Sequence, residues 1–154
     1  MRLLPDGRRL HLNHGPIDLI IEAFGLPGEV EAAYCRAQKS FPSILPKLVE
    51  ELHQLRKPLT KENELTGPVA KRMVKECEFY SPKFFLTPMA AVAGAVADEI
   101  LEMMLVGTNL DKAYVNNGGD TAFFLTPGEK LIIGLVTDFH LPNIDARCTI
   151  EYAN

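Results

Sequence analysis

Apolar and polar residues alternate toward both ends of the chain and recur at helical spacing through its middle. Residues 9–12 alternate into Leu10 and Leu12, which predicts a first strand. Asn13-His14-Gly15-Pro16 reads as a turn. Residues 17–24, rich in Ile and Leu with Asp18 and Glu22 interrupting, predict a second strand in a hairpin with the first. Four helices follow. Residues 29–39 carry Glu29 and Glu31 at the start and Arg36 and Lys39 at the end, the charge order that suits a helix dipole. Residues 43–56 place Ile44, Leu45, Leu48, Val49, Leu52 and Leu55 on one stripe, with Ser43 as the cap. Residues 59–65 form a polar linker. Thr66-Gly67-Pro68 opens a third helix to about Phe79, which Ser81-Pro82 ends. Residues 87–106 form the longest helix, with Thr87 as cap, Pro88 in the first helical position and Gly107 as the stop. Four strands then occupy residues 113–116, 121–125, 130–136 and about 145–152. The turns at residues 126–129 and 141–143 are short, which predicts an antiparallel meander. The layout is α+β, a single domain over residues 1–154 with helices packed on one face of a mostly antiparallel sheet.

Composition narrows the function classes. The chain has 154 residues, 47% hydrophobic and 23% charged, with a formal net charge of −4. These values fit one soluble globular domain and argue against a nucleic-acid backbone as partner. The first residues lack an apolar secretory core. The longest uncharged run, residues 84–97, is too short to span a bilayer. The expectation is a cytoplasmic protein with no membrane and no nucleic-acid partner. Cys35, Cys77 and Cys148 are an odd, widely spaced set, which predicts reduced thiols rather than a disulfide framework. A reactive thiol in sulfur handling is the alternative use.

Three stretches carry candidate chemistry. Asn116-Asn117-Gly118-Gly119-Asp120 combines two glycines, which admit unusual backbone angles and close approach, with polar side chains. It reads as a hairpin turn, with or without a ligand. The first half of the longest helix is nearly all small, including Ala90, Ala91, Ala93, Gly94, Ala95 and Ala97, and ends at Asp98. Such a run admits a flat ligand or a tightly packed sheet. The third stretch is His11, Asn13, His14 and Asp18. On a strand His11 and Asn13 share a face, while His14 belongs to the turn. Two histidines without a third ligand at a known spacing make a weak zinc pattern. Asp18 on a buried strand would need a partner. The chain has no G-x-S-x-G, P-loop or G-x-G-x-x-G motif.

HLNHGPIDLII, TPMAAVAGAVAD and VNNGGD stand in that order from His11 to Asp120. Together they resemble an uncharacterised family related to the ApbE-type FAD:protein FMN transferases. The resemblance implies a T-fold-like architecture and a flavin-nucleotide site. Carried over residue by residue, it marks Asn117, Gly118, Gly119 and Asp120 as pocket residues. Asn116, Ala91, Gly94, Asp98, His14 and Asp18 complete the cofactor-binding set, with no catalytic residue or metal ligand assigned. Ala93 stands before Gly94, where those enzymes commonly carry a lysine. The Ala-Asp-x-x-Thr-type segment of the transferases' magnesium site finds no counterpart by Asn154, so the resemblance implies a truncated or reduced form, or completion by a partner. An open last strand would favour a homo-oligomer. The implied cofactors are FAD or FMN and magnesium, with FMN transfer in an intact form. The alternative is a non-catalytic binding or accessory protein, with sulfur metabolism as one setting.

Overall fold

Alternation of side chains builds the centre of the molecule. The computed structural model describes residues 2–59, 65–80, 83–138, 140 and 143–153. Strands β1 (Arg2–Leu3), β2 (Leu10–His14), β3 (Ile17–Gly25), β4 (Leu110–Asn117) and β5 (Asp120–Leu125) form one antiparallel sheet in chain order. Leu10 and Leu12 lie opposite Ile21 and Leu19, which lie opposite Val115 and Asn117. This row, with Ala23, Ala113 and Ala122, is the buried inner face. The intervening residues His11, Ile20, Glu22, Phe24, Lys112, Tyr114 and Asn116 point to the outer face.

The helices α1 (Pro27–Ser40), α2 (Ile44–Glu50), α3 (Leu52–Leu55), α4 (Pro68–Glu78) and α5 (Val92–Leu105) separate β3 from β4. Helix α1 packs on β3, and α5 on β4 and β5; α4 packs on α5. Small residues set the spacing. Ala33 and Ala37 of α1 and Ala97 of α5 are fully buried, so these helices seat without long side chains between them. The fold is α+β with a mostly antiparallel sheet.

Four expectations change. The helix predicted over residues 43–56 divides at Glu51, where φ is −100° and ψ 3°, after a 3-10 turn at Phe41–Ser43. The helix predicted over residues 87–106 begins as a 3-10 turn, Pro88–Ala91, and becomes α-helical only at Val92. Neither Ser43 nor Thr87 makes a side-chain cap; the Ser43 hydroxyl donates back to the Ser40 carbonyl. The four C-terminal strands do not make one meander. Strands β6 (Lys130–Leu135) and β7 (Ala146–Glu151) form their own two-stranded sheet, while β4 and β5 join the N-terminal hairpin. The expectations for residues 60–64, 81–82, 139 and 141–142 lie outside the described residues.

The break at Glu51 has a use. Its carboxylate accepts hydrogen bonds from the Thr66 N–H and hydroxyl and from the Gly67 N–H, and so caps α4 from another element. A Cβ on Gly67 would stand 2.7 Å from Glu51 Oε2, so only glycine lets the carboxylate this close. Burial alone would raise the Glu51 carboxyl; the Thr66 and Gly67 hydrogen bonds outweigh it and hold the pKa below its ordinary value of 4.5. We expect Glu51→Ala to cost about 0.5–2 kcal/mol, the range for loss of a helix cap. The depressed folded-state pKa fixes the sign in acid. The cap's contribution is complete above pH 4.5 and fades as pH falls through the lower folded value. Urea melts across a pH series check this: Glu51→Gln should remove that part of the acid dependence, and an unchanged slope contradicts the assignment.

Candidate functional site

The β2–β3 and β4–β5 turns lie at the same end of the sheet, because β3 and β4 run antiparallel. Asn117 and Asp120 pair as the last rung of β4 and β5, leaving Gly118-Gly119 as a two-residue loop. Their φ angles are 62° and 121°. Two consecutive positive φ values are the requirement of the tight hairpin turn that matches strand twist, which is why both positions are glycine. The conformational reading of this turn is therefore correct, and it holds whether or not a ligand visits.

The buried Asn117 points to the inner face and its Nδ2 donates to the Ala93 carbonyl at 3.0 Å. That bond fixes the glycine turn against the first turn of α5. Gly94 follows at once, with Ala91 at the switch from 3-10 to α geometry, where its φ is −105°. A Cβ placed on Gly94, Gly118 or Gly119 would meet nothing within 4 Å. The Asn117–Ala93 bond thus joins the Asn117-Gly118-Gly119-Asp120 turn to the start of α5, next to Gly94 in the chain, while Ala91 lines a groove with Glu76, Cys77 and Tyr80 on the α4 side. Asp120 is exposed.

The other candidates disperse. His14 is the last residue of β2 rather than part of the turn, lies on the face opposite His11 and Asn13, and sets its ring edge-on to buried Phe41 at 6.3 Å. Asp18 is exposed on the outer face, at the turn end of β3. There it bonds His11 Nε2, so the partner expected for a buried carboxylate is found on a solvated one. Asn116 is also outer, with its Nδ2 donating to Thr121 Oγ1 across the strands at 2.8 Å. Asp98 lies one helical turn beyond Gly94, about 6 Å along the axis. It faces the seam with α4, where burial raises its carboxyl pKa although Arg72 is near. Arg72 itself bonds Glu102 at 2.7 Å. Among the described residues no three His, Cys, Asp or Glu side chains converge to hold a metal ion.

Glu22 and Tyr114 were not among the candidates that the sequence offered. Glu22 and Asn117 are the buried polar side chains among the described residues, and Glu22 accepts from the Tyr114 hydroxyl at 3.0 Å. Burial, with the neighbouring Glu22 carboxylate, pushes the Tyr114 pKa up to about 12. The signal was the even-numbered polar position inside an Ile-rich strand. Of the three thiols, Cys77 is buried and burial pushes its pKa up, the wrong direction for a nucleophile. Cys35 and Cys148 are exposed. No helix among the described residues is long and apolar enough to cross a membrane.

Comparison with known proteins places this geometry in a family. A 68-residue stretch is 44% identical to a UPF0280 protein of Methanothrix thermoacetophila. It covers 44% of this chain and 26% of that protein, so the match spans about a quarter of the relative's length. A family model described as AbpE bacteria matches residues 1–154, and the chain belongs to that family.

Proposed function

We propose that the protein binds a flavin or related nucleotide, FAD or FMN, at the open end where the glycine turn meets α5. The observation that carries the reading is Gly94. A glycine inside a helix costs about 0.5–1 kcal/mol relative to alanine. Among the described residues nothing beyond its own helix backbone and chain neighbours crowds this one, since a Cβ there would meet none of them within 4 Å. What the missing side chain serves is then outside the chain. The Asn117–Ala93 bond sets two more uncrowded glycines beside it. A flat ring against Gly94, with the Gly118-Gly119 backbone at its edge, uses all three. Asp120 would accept hydrogen bonds from ribose hydroxyls or ring N–H groups. A lone carboxylate repels pyrophosphate, so the phosphates lie away from it or share a cation.

The described residues do not fit a dedicated magnesium cage, because no three His, Cys, Asp or Glu side chains among them converge to hold a metal ion. Magnesium there would need phosphate oxygens from the ligand as its remaining donors. Binding is accordingly the function proposed. Magnesium-dependent FMN transfer rests on the resemblance to ApbE-type enzymes, and a separate arm of the same experiment tests it.

That experiment is a titration with FAD, FMN and ADP, with and without magnesium, read by flavin fluorescence and thermal shift. Saturable binding is expected, weakened about tenfold or more by Gly94→Leu, a loss of at least 1.4 kcal/mol. Gly94→Leu improves helix propensity, so a raised melting temperature together with lost binding separates blockage from misfolding. Absence of saturable binding by the folded protein overturns the proposal. Tightening by magnesium favours transfer, and no tightening favours a non-catalytic binding protein.

A further inference from the structure

The outer face of the sheet is covered in part by the β6–β7 hairpin. Between them lies a groove of about 670 Å³, within the size range of small-molecule sites. Ile20, Glu22 and Phe24 of β3 line it opposite Asn116, Tyr114 and Lys112 of β4. Leu131 and Ile133 of β6, both half-buried, form the other wall.

The charges around this groove are unequally compensated. Lys112 Nζ lies 2.9 Å from Glu129 Oε2 and 3.3 Å from the Lys130 carbonyl, and it sits 4.8 Å above the Phe24 ring centroid. Arg9 is bonded through Nε to Asp6. Both cations therefore bring their own acids, and exposed Lys130 keeps its hydration. Glu22 differs. It is 8% exposed, yet the one hydrogen-bond donor to it among the described residues is the Tyr114 hydroxyl. Two cations stand near it: Arg8, whose Nε is 3.6 Å from Oε1 on a side chain that is 72% exposed, and Arg9, which is already bonded to Asp6 and also acts on Glu22 and Tyr114. A carboxylate offers about four lone-pair positions, and leaving a buried one poorly paired is costly. Burial and the Glu22 carboxylate keep Tyr114 protonated at neutral pH, so it holds one oxygen of Glu22 as a donor and leaves its own oxygen free to accept.

We infer that this groove binds an organic amine, its ammonium or amidinium head on Glu22 and the Tyr114 oxygen and its apolar body between Ile20 and Phe24 on one side and Leu131 and Ile133 on the other. The site is on the opposite face from the glycine turn and does not depend on it. An organic anion would meet Glu22 and is rejected by the same arrangement.

Benzamidine and benzylamine are the probes, with benzoate and benzyl alcohol as the anionic and neutral controls. The full chain, methyl-labelled at isoleucine, is followed by NMR. Saturable shifts at Ile20 and Ile133 are expected with both cationic probes, at concentrations on the order of 1 mM or below. Benzoate and benzyl alcohol should leave those methyls unmoved. Glu22→Gln, of the same shape, should weaken binding about 10- to 100-fold, the effect of losing a hydrogen bond to a charged group. An unchanged Ile21 methyl, on the buried face, certifies that the variant folds. Should Glu22→Gln fail that check, Ile133→Lys places a repelling charge in the opposite wall and must abolish binding. Equal binding of benzoate, full binding by a folded Glu22→Gln or Ile133→Lys protein, or no saturable shift with either cation overturns the inference.

Discussion

Phe41→Ala is expected to lower the unfolding free energy by about 3–5 kcal/mol, the usual cost of removing a large aromatic from a closed core. Phe41 opens the 3-10 turn between α1 and α2 and is fully buried. Its ring lies under the turn end of the sheet, where His14 meets it edge-on. The backbone here is tightly turned, and Gly15 already lies so near Leu45 that a Cβ would approach its Cδ2 to 2.9 Å. Neighbours held in that way cannot move far into the space that alanine leaves. A domain's whole stability is about 5–15 kcal/mol, so the variant should be close to unfolded at 37 °C. Urea unfolding with an unchanged slope and a much lower midpoint would agree. A loss under about 1 kcal/mol would mean that the end of the sheet collapses freely around the cavity.

Valine at both Gly118 and Gly119 should cost about 2–4 kcal/mol, and the cause should be conformational alone. A left-handed backbone costs roughly 1–2 kcal/mol for each ordinary L-residue. The φ values of 62° and 121° impose that cost twice, while the space around both positions is open. Asparagine tolerates the left-handed region, so Gly118→Asn should lose much less than Gly118→Val. Gly94 makes the opposite case, since it is helical and uncrowded, and Gly94→Ala should add about 0.5–1 kcal/mol. Thermal melts of the four variants decide the matter. Equal losses for Asn and Val at residue 118 would mean that crowding, not backbone angle, governs the turn.

The strands of the main sheet were legible because their inner positions are so consistently apolar. Leu10, Leu12, Leu19 and Ile21 repeat at period two, and one covered face is what such a repeat describes. Strand β1, of two residues, is too short to show a period. The helix breaks at Glu51 and Ala91 were hidden for a different reason. Each lies within a run whose apolar spacing continues across it, and the break is set by tertiary partners: Thr66 and Gly67 for Glu51, the Asn117 bond beside Ala91. The separate sheet of β6 and β7 was missed because a short turn predicts that neighbouring strands pair, without saying where the pairing stops. At the open end, the glycines were legible as a turn since they answer to local geometry. Glu22 was not, because what gives it meaning is Tyr114, 92 residues away along the chain.

The central pair of the sheet has a kinetic consequence. Strands β2 and β3 close over two residues, as do β4 and β5, so each hairpin can form within microseconds. The β3–β4 junction must instead bring Gly25 to Leu110 across all five helices. Each doubling of a loop adds about 0.6 kcal/mol of closure entropy, and nothing is returned until the strands meet. Such a topology implies two quick local events and one slow search, with α1 and α5 docking as the step that brings the halves within reach. The unjoined hairpins would show their apolar faces throughout that search, which makes the rate of helix docking the quantity that governs how long the chain is exposed to aggregation.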